Sequence, residues 1–264
     1  MKNRWIVSSL VSSAIALLIL GAYAKPQKAE AVNVNGVQAG NEWDQEEHQT
    51  YQLAPGAHID VSNISGPVSV EATDGSTAEV GIYRRAPNHD DLAYRKVSVE
   101  QTPRGLTIQQ KDDGTERSSI NLLNRVVLKV PRQVSVSGKS ISGDFNVSGV
   151  TGTVGLNGIS GSVNARQLSG ALTVSGVSGN VRVAVERIND AGLRVSGVSG
   201  RVYLGLATDL NAELRVGNTT AGVSNKIQGL ALAGGPSTYS ARLGSGGPRI
   251  EVSNVTGAIV LQRI

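Results

Sequence analysis

The most constraining feature of this sequence is a nine-residue unit that repeats five times without a gap from Ile141 to Val185. The copies read ISGDFNVSG, VTGTVGLNG, ISGSVNARQ, LSGALTVSG and VSGNVRVAV. The first, third, fifth and seventh positions carry apolar residues or glycine, and the even positions carry mostly Ser, Thr, Asn or another small residue. This alternation with a period of two predicts a β-strand with one buried face.

A short strand of this kind cannot bury its apolar face alone, so successive copies must stack on one another as in a solenoid. Ser-Gly and Asn-Gly pairs recur at fixed positions, where glycine allows the positive φ that a corner requires. Each unit is therefore interpreted as one strand plus one corner. The sequence predicts an all-β fold, a β-helix or β-solenoid-like stack of short strands, and leaves open whether two or three units complete a coil.

Further copies of the unit begin at Ile64, Val198 and Val255, out of phase with the nine-residue count. We interpret them as additional coils separated by insertions that loop out at corners. The predicted domain is a single β-solenoid over residues 51–264, most regular at 138–206.

The N-terminus has the pattern of a secretory signal. Lys2 and Arg4 precede a mostly apolar run over residues 6–20, and Ala22-Tyr23-Ala24 offers the small residues of a cleavage site. Residues 1–24 are therefore predicted to be a cleaved signal peptide, with an uncleaved membrane anchor as the alternative. The polar stretch 25–50 is predicted to be a flexible leader. The protein is expected to be exported and to be periplasmic, on the outer surface or secreted, with membrane contact only through the N-terminal segment if that stays uncleaved.

Two longer motifs carry a family resemblance. VPRQVSVSGKSISGDFNVSG at 130–149 and LGSGGPRIEVSNVTGAIVLQR at 243–263 are similar to the bacterial putative-adhesin family of β-strand-repeat proteins, a domain of unknown function. The resemblance implies an extracytoplasmic, right-handed β-helix-like fold, and it brings no catalytic motif.

Residues with catalytic or metal-binding chemistry are sparse. Between Gly138 and Asn180 the charged side chains are Lys139, Asp144 and Arg166, and the chain has no cysteine. Its three histidines all precede the five-copy array, without metal-binding spacing. The compact group His89-Asp90-Asp91 is interpreted as a loop or helix cap. We therefore expect no catalytic residues, no cofactor and no metal site.

The charge balance gives no basis for nucleic-acid binding. Removing Lys2 and Arg4 with the signal lowers the formal net charge from +4 to +2, too little for a nucleic-acid footprint. The mixed-sign run RRAPNHDDLAYRK at 84–96 is expected to be a solvated surface.

These observations favour a non-catalytic envelope or surface protein that serves in adhesion, binding or structure. The expected partner is an unknown surface glycan or envelope protein. One alternative is a carbohydrate-active β-helix enzyme, which would need two carboxylates from neighbouring coils, and another is an envelope-stress regulator with an uncleaved anchor. The candidate binding residues are the polar side chains of an outward ladder: Asp144, Asn146, Asn164, Arg166, Thr173, Asn180 and Arg182.

Overall fold

The computed structural model describes residues 31–39, 42–111 and 122–264. In these residues it contains 22 strands and one short helix, so the predicted all-β class is confirmed. The elements in chain order are β1 Ala31–Ala39, β2 Glu42–Gln52, β3 His58–Ser62, β4 Val68–Thr73, β5 Thr77–Ala86, α1 His89–Leu92, β6 Val97–Thr102, β7 Gly105–Gln110, β8 Leu123–Pro131, β9 Ser135–Ile141, β10 Phe145–Ser148, β11 Val154–Ile159, β12 Val163–Arg166, β13 Leu172–Val177, β14 Val181–Val185, β15 Leu193–Val198, β16 Val202–Leu206, β17 Ala212–Thr219, β18 Val223–Asn225, β19 Ala233–Gly235, β20 Thr238–Leu243, β21 Arg249–Val255 and β22 Ile259–Arg263.

The strands form two sheets of eleven strands each. Sheet A has the order β1-β2-β5-β8-β4-β10-β12-β14-β16-β22-β18. Sheet B has the order β6-β7-β3-β9-β11-β13-β15-β21-β17-β20-β19. Successive strands of the repeat alternate between the two sheets.

Two nine-residue units complete each step of the regular stack. In sheet B, Val154 pairs with Leu172, and in sheet A, Val163 pairs with Val181. Both pairings are parallel and join residues 18 apart. Each step of the stack is therefore a strand pair, which consists of one strand in sheet B and the next strand in sheet A. Each strand pair stacks on the following one. The right-handed β-helix stays a prediction.

The isolated copies of the unit join the same stack in register. Val68 of the first copy pairs with Phe145, and Val198 pairs with Val255. The strand pairs do not follow chain order at either end of the stack. Their spatial order is β7/β8, β3/β4, β9/β10, β11/β12, β13/β14, β15/β16, β21/β22 and β17/β18.

Antiparallel strands extend both sheets beyond the parallel stack. Strands β5, β2 and β1 continue sheet A past β8. The described residues of the predicted leader 25–50 include β1 and most of β2, and β2 pairs with β5 from Trp43 to Gln52. In sheet B, β6 and β7 form an antiparallel hairpin. The predicted signal segment 1–24 lies outside the described residues, and none of the helices that the structure describes is long and apolar enough to span a membrane.

The core lies between the sheets and follows the predicted alternation. Val174 and Val181 are fully buried, whereas Thr173 and Arg182 are exposed. The chain's single phenylalanine, Phe145, is also fully buried. Its ring fills the space left by Gly138, where an added Cβ would lie 2.7 Å from the Phe145 ring. A residue without a side chain therefore lies beside a large one, so that the core stays closely packed.

The repeated glycines have two different functions. Gly176, in a Ser-Gly pair, has the predicted positive φ, +63°, but it lies within β13 and not at a corner. Gly179 is not left-handed, and its need for glycine has another cause. A Cβ there would lie 2.5 Å from the carbonyl oxygen of Gly161, one strand pair away. The equivalent close approach recurs at Gly143, Gly161, Gly200 and Gly257.

We predict that Val174→Asp destabilises the protein strongly and Thr173→Asp does not. The first change removes about 1.5–3 kcal/mol of apolar burial and leaves a carboxylate unpaired in the core. The second places the carboxylate in solvent, at a cost of about 0.5 kcal/mol or less. Thermal unfolding of the two variants checks this, and equal losses would contradict the strand alternation.

We also predict that Gly179→Ala costs about 1–3 kcal/mol, because the added methyl group would push neighbouring strand pairs apart. Gly155→Ala is the matched control, since a Cβ at Gly155 meets no atom within 4 Å. That control should be neutral or stabilising, because alanine restricts the unfolded chain. Urea unfolding measures both, and a larger loss at Gly155 would disprove the close-approach explanation.

Candidate functional site

The outward side chains of four neighbouring parallel strands in sheet A form one surface. We call this surface the A face and define it by the outward residues of β10, β12, β14 and β16. Strand alternation places these side chains opposite the core. They are Asn146, Ser148, Asn164, Arg166, Arg182, Ala184 and Tyr203.

Four of the seven candidate binding residues lie on the A face. Asn146, Asn164 and Arg182 occupy one row across adjacent strands, and Arg166 ends β12 beside that row. Tyr203 continues the row on β16 and was not predicted. The signal for it was present, because Tyr203 is the sixth residue of the copy VSGRVYLGL, the position that Arg182 holds in its own copy.

Two contacts hold the long side chains of the A face in place. The Arg166 Nε donates to Asn164 Oδ1 at 3.0 Å. The Arg182 guanidinium carbon lies 4.8 Å from the centre of the Tyr203 ring, within the range of a cation–π interaction. Arg166 and Arg182 are both exposed. Neither of them forms an ion pair with a carboxylate of the described residues.

Asp144 and Asn180 lie at the corner that precedes the sheet A strands and have a structural task there. The Oδ1 atom of Asp144 accepts from the backbone N–H of Ser162 at 2.7 Å. The Oδ1 atom of Asn180 accepts from the backbone N–H of Arg201 at 2.9 Å. Ser162 Oγ in turn accepts from the backbone N–H of Asn180 at 3.2 Å. These side chains link successive strand pairs.

Thr173 lies on the opposite side of the molecule from the A face. It is an outward residue of β13 in sheet B, between Gly155 and Arg194 in the row. Successive units alternate between the sheets, so equivalent positions in neighbouring units face opposite ways. The structure therefore divides the seven candidate residues between one face, one corner and the other face, and does not form one continuous ladder from them.

The group His89-Asp90-Asp91, interpreted from sequence as a loop or helix cap, forms the body of the short helix α1 together with Leu92. Asn88 is its N-cap, and Asn88 Oδ1 accepts from the backbone N–H of Asp91 at 2.9 Å. Within residues 31–39, 42–111 and 122–264, no three His, Cys, Asp or Glu side chains come together as a metal site.

The mixed-charge run 84–96 was expected to be solvated, and at Arg84 that expectation is wrong. Arg84 is buried beneath the segment that carries α1. Its Nη1 donates to the carbonyl of Leu92 at 2.6 Å, and its Nη2 donates to the carbonyl of Tyr94 at 2.5 Å. Its Nε donates to Asn124 Oδ1 at 3.3 Å. The alternating pattern of β5 points this guanidinium inward, where backbone carbonyls replace water.

The surroundings of Arg84 perturb its ionisation. Burial lowers the pKa of the Arg84 guanidinium, and the Glu47 carboxylate partly opposes that shift. Arg84, Tyr83 and Leu123 line part of a cleft of about 660 Å³. Burial is the main cause that raises the pKa of the Tyr83 hydroxyl, and the nearby Glu46 carboxylate raises it further. Because carbonyl and amide oxygens already occupy the Arg84 donors, this cation stabilises the loop and offers little to a ligand.

We predict that Arg84→Met destabilises the protein by about 2–4 kcal/mol, since it leaves buried carbonyl oxygens without donors. Arg85→Met is the matched control. Arg85 is exposed and pairs with Asp44 at 2.6 Å, so its loss should matter little. Urea unfolding of both variants tests the assignment. Equal stability losses would show that the buried contacts of Arg84 carry no special weight.

Comparison with known proteins gives similarity only at low sequence identity. No family model and no curated protein matches the chain. A crystal structure of a putative cell adhesion protein from Clostridium sporogenes matches with a TM-score of 0.46 and 11% identity, over 83% of this chain and 100% of that chain. A putative adhesin from Bacteroides fragilis matches with a TM-score of 0.43 and 14% identity, over 82% and 97%. A putative lipid binding protein from Parabacteroides distasonis matches with a TM-score of 0.29 and 10% identity, over 83% and 96%. The chain is thus similar to solved structures named mainly as putative adhesins.

Proposed function

We propose that this chain is a non-catalytic binding protein of the bacterial envelope or cell surface and that the A face binds a glycan. The observation that carries the proposal is the row Asn146, Asn164 and Arg182, which presents polar side chains in register on adjacent parallel strands. The corner residues serve the fold, whereas this row is free to meet a partner.

The spacing of the row suits a repeating polymer. Neighbouring strands lie about 4.8 Å apart, so the sheet offers polar groups at regular intervals along the stack. Each asparagine amide can both donate and accept hydrogen bonds, which matches the hydroxyl groups of a sugar chain. Because the side chains stand on a packed sheet, little order is lost on binding, and that favours affinity.

The architecture and location are part of the same proposal. The alternating strand pairs are taken to wind as a right-handed β-solenoid. Residues 1–24 would direct export, so that the protein acts in the periplasm, on the outer surface or after secretion. The proposed partner is a surface glycan that extends along the stack of strand pairs.

We predict that the double variant Asn146→Ala/Asn164→Ala binds its glycan at least about fivefold more weakly, because each lost hydrogen bond is worth about 0.5–1.5 kcal/mol. The measurement is a glycan-array screen of residues 25–264, followed by calorimetry on the best ligand. Thr173→Ala, on the other face, is the matched control and should bind as the unmodified protein does. Loss of binding in the control but not in the double variant would refute the A face as the site.

A further inference from the structure

We infer that the ligand of the A face is an anionic glycan, a linear sugar chain that bears carboxylate groups. The inference rests on the proposed function and adds the chemical class of the ligand. The A face contains two arginines and no carboxylate, and the exposed carboxylate of Glu71, in the same outward row on β4, lies two strands from Arg166. The charge of the A face is therefore complementary to an acidic polymer.

The two arginines differ from those on the outer face of sheet B. There, Arg194 pairs with Glu251 at 3.0 Å and Arg215 lies 3.9 Å from Glu213. On the A face, Arg166 and Arg182 have no carboxylate of the described residues within ion-pair distance. The nearby corner carboxylate of Asp144 is already bonded to the Ser162 backbone. The positive charge of the A face is thus left for a partner.

The geometry of both arginines prepares them for carboxylates. The contact of Arg166 Nε with Asn164 occupies one of five N–H donors and leaves the Nη groups. The contact of the Arg182 guanidinium with the face of the Tyr203 ring uses none of its N–H donors. A guanidinium with free donors can bind a carboxylate through two parallel hydrogen bonds.

The positions of the arginines favour a polymer over a single sugar. Arg166 and Arg182 lie on adjacent strands and are offset by two residues, so their Cα atoms are about 8 Å apart. A chain with repeated carboxylates can give each guanidinium its own pair of parallel hydrogen bonds, whereas a single carboxylate can pair in this way with only one of them. Nucleic acid fits less well, because a duplex carries one negative charge per about 1.7 Å and the A face supplies only two cations.

The test compares oligogalacturonate with the same oligosaccharide after methyl esterification, which removes the charge and keeps the backbone. Calorimetry of residues 25–264 should give at least about tenfold tighter binding of the acid form, with an affinity that falls as salt is added. In Arg166→Gln/Arg182→Gln, the acid form should bind no better than the ester. Arg194→Gln, on the outer face of sheet B, is the matched control and should keep the preference for the acid. Unchanged thermal unfolding of the double variant verifies its fold, as expected for exposed residues.

The outcomes separate this inference from the proposed function. Equal binding of acid and ester, or preference for a single-stranded DNA oligonucleotide, would overturn the anionic-glycan inference. If the array finds only neutral glycans, and Asn146→Ala/Asn164→Ala weakens them, the A face is a glycan site and its ligand is not acidic. If no glycan binds, both the proposed function and this inference fail.

Discussion

The structure depends on parallel main-chain pairing between strands, which in the regular part of the stack joins residues 18 apart in sequence. The pairing requires the corners of successive strand pairs to approach closely, and glycine makes that possible at positions such as Gly179, where a Cβ would meet the Gly161 carbonyl. Once the register is fixed, alternation determines which side chains enter the core and which face solvent. The rows of the A face are a direct result of this register.

Similar polar side chains serve different purposes at different positions of the repeat. At the corner, Asp144 and Asn180 accept from backbone N–H groups of the next strand pair and so hold the stack together. Two residues later in each unit, Asn146 and Arg182 point outward from a strand. Arginines divide in the same way, since Arg84 stabilises a loop from within the protein, whereas the exposed Arg182 contacts the half-buried ring of Tyr203.

The sequence predicted the strand class, the unit and the inward residues, because a period of two depends only on local geometry. It could not predict whether two or three units complete one step of the stack, since both arrangements have the same nine-residue period. For this reason Thr173 was grouped with Asn164, although two units per strand pair place them on opposite faces. Arg84 was missed because its burial depends on carbonyl groups of a loop whose path the pattern does not specify.

At one end of the stack, the strand pairs are not arranged in the order in which the chain is synthesised. Strands β21 and β22 follow β17–β20 in the chain, yet they lie between β15/β16 and β17/β18. The neighbour of β16 in sheet A is β22, which ends at Arg263. After β16 has been synthesised, about 60 further residues must follow before β22 is complete. Until then the edge of β16 has an unpaired row of backbone groups, and such edges invite pairing with other chains. Strands that are made after β17 and β18 therefore close a gap inside the molecule, and folding should be slow at that end.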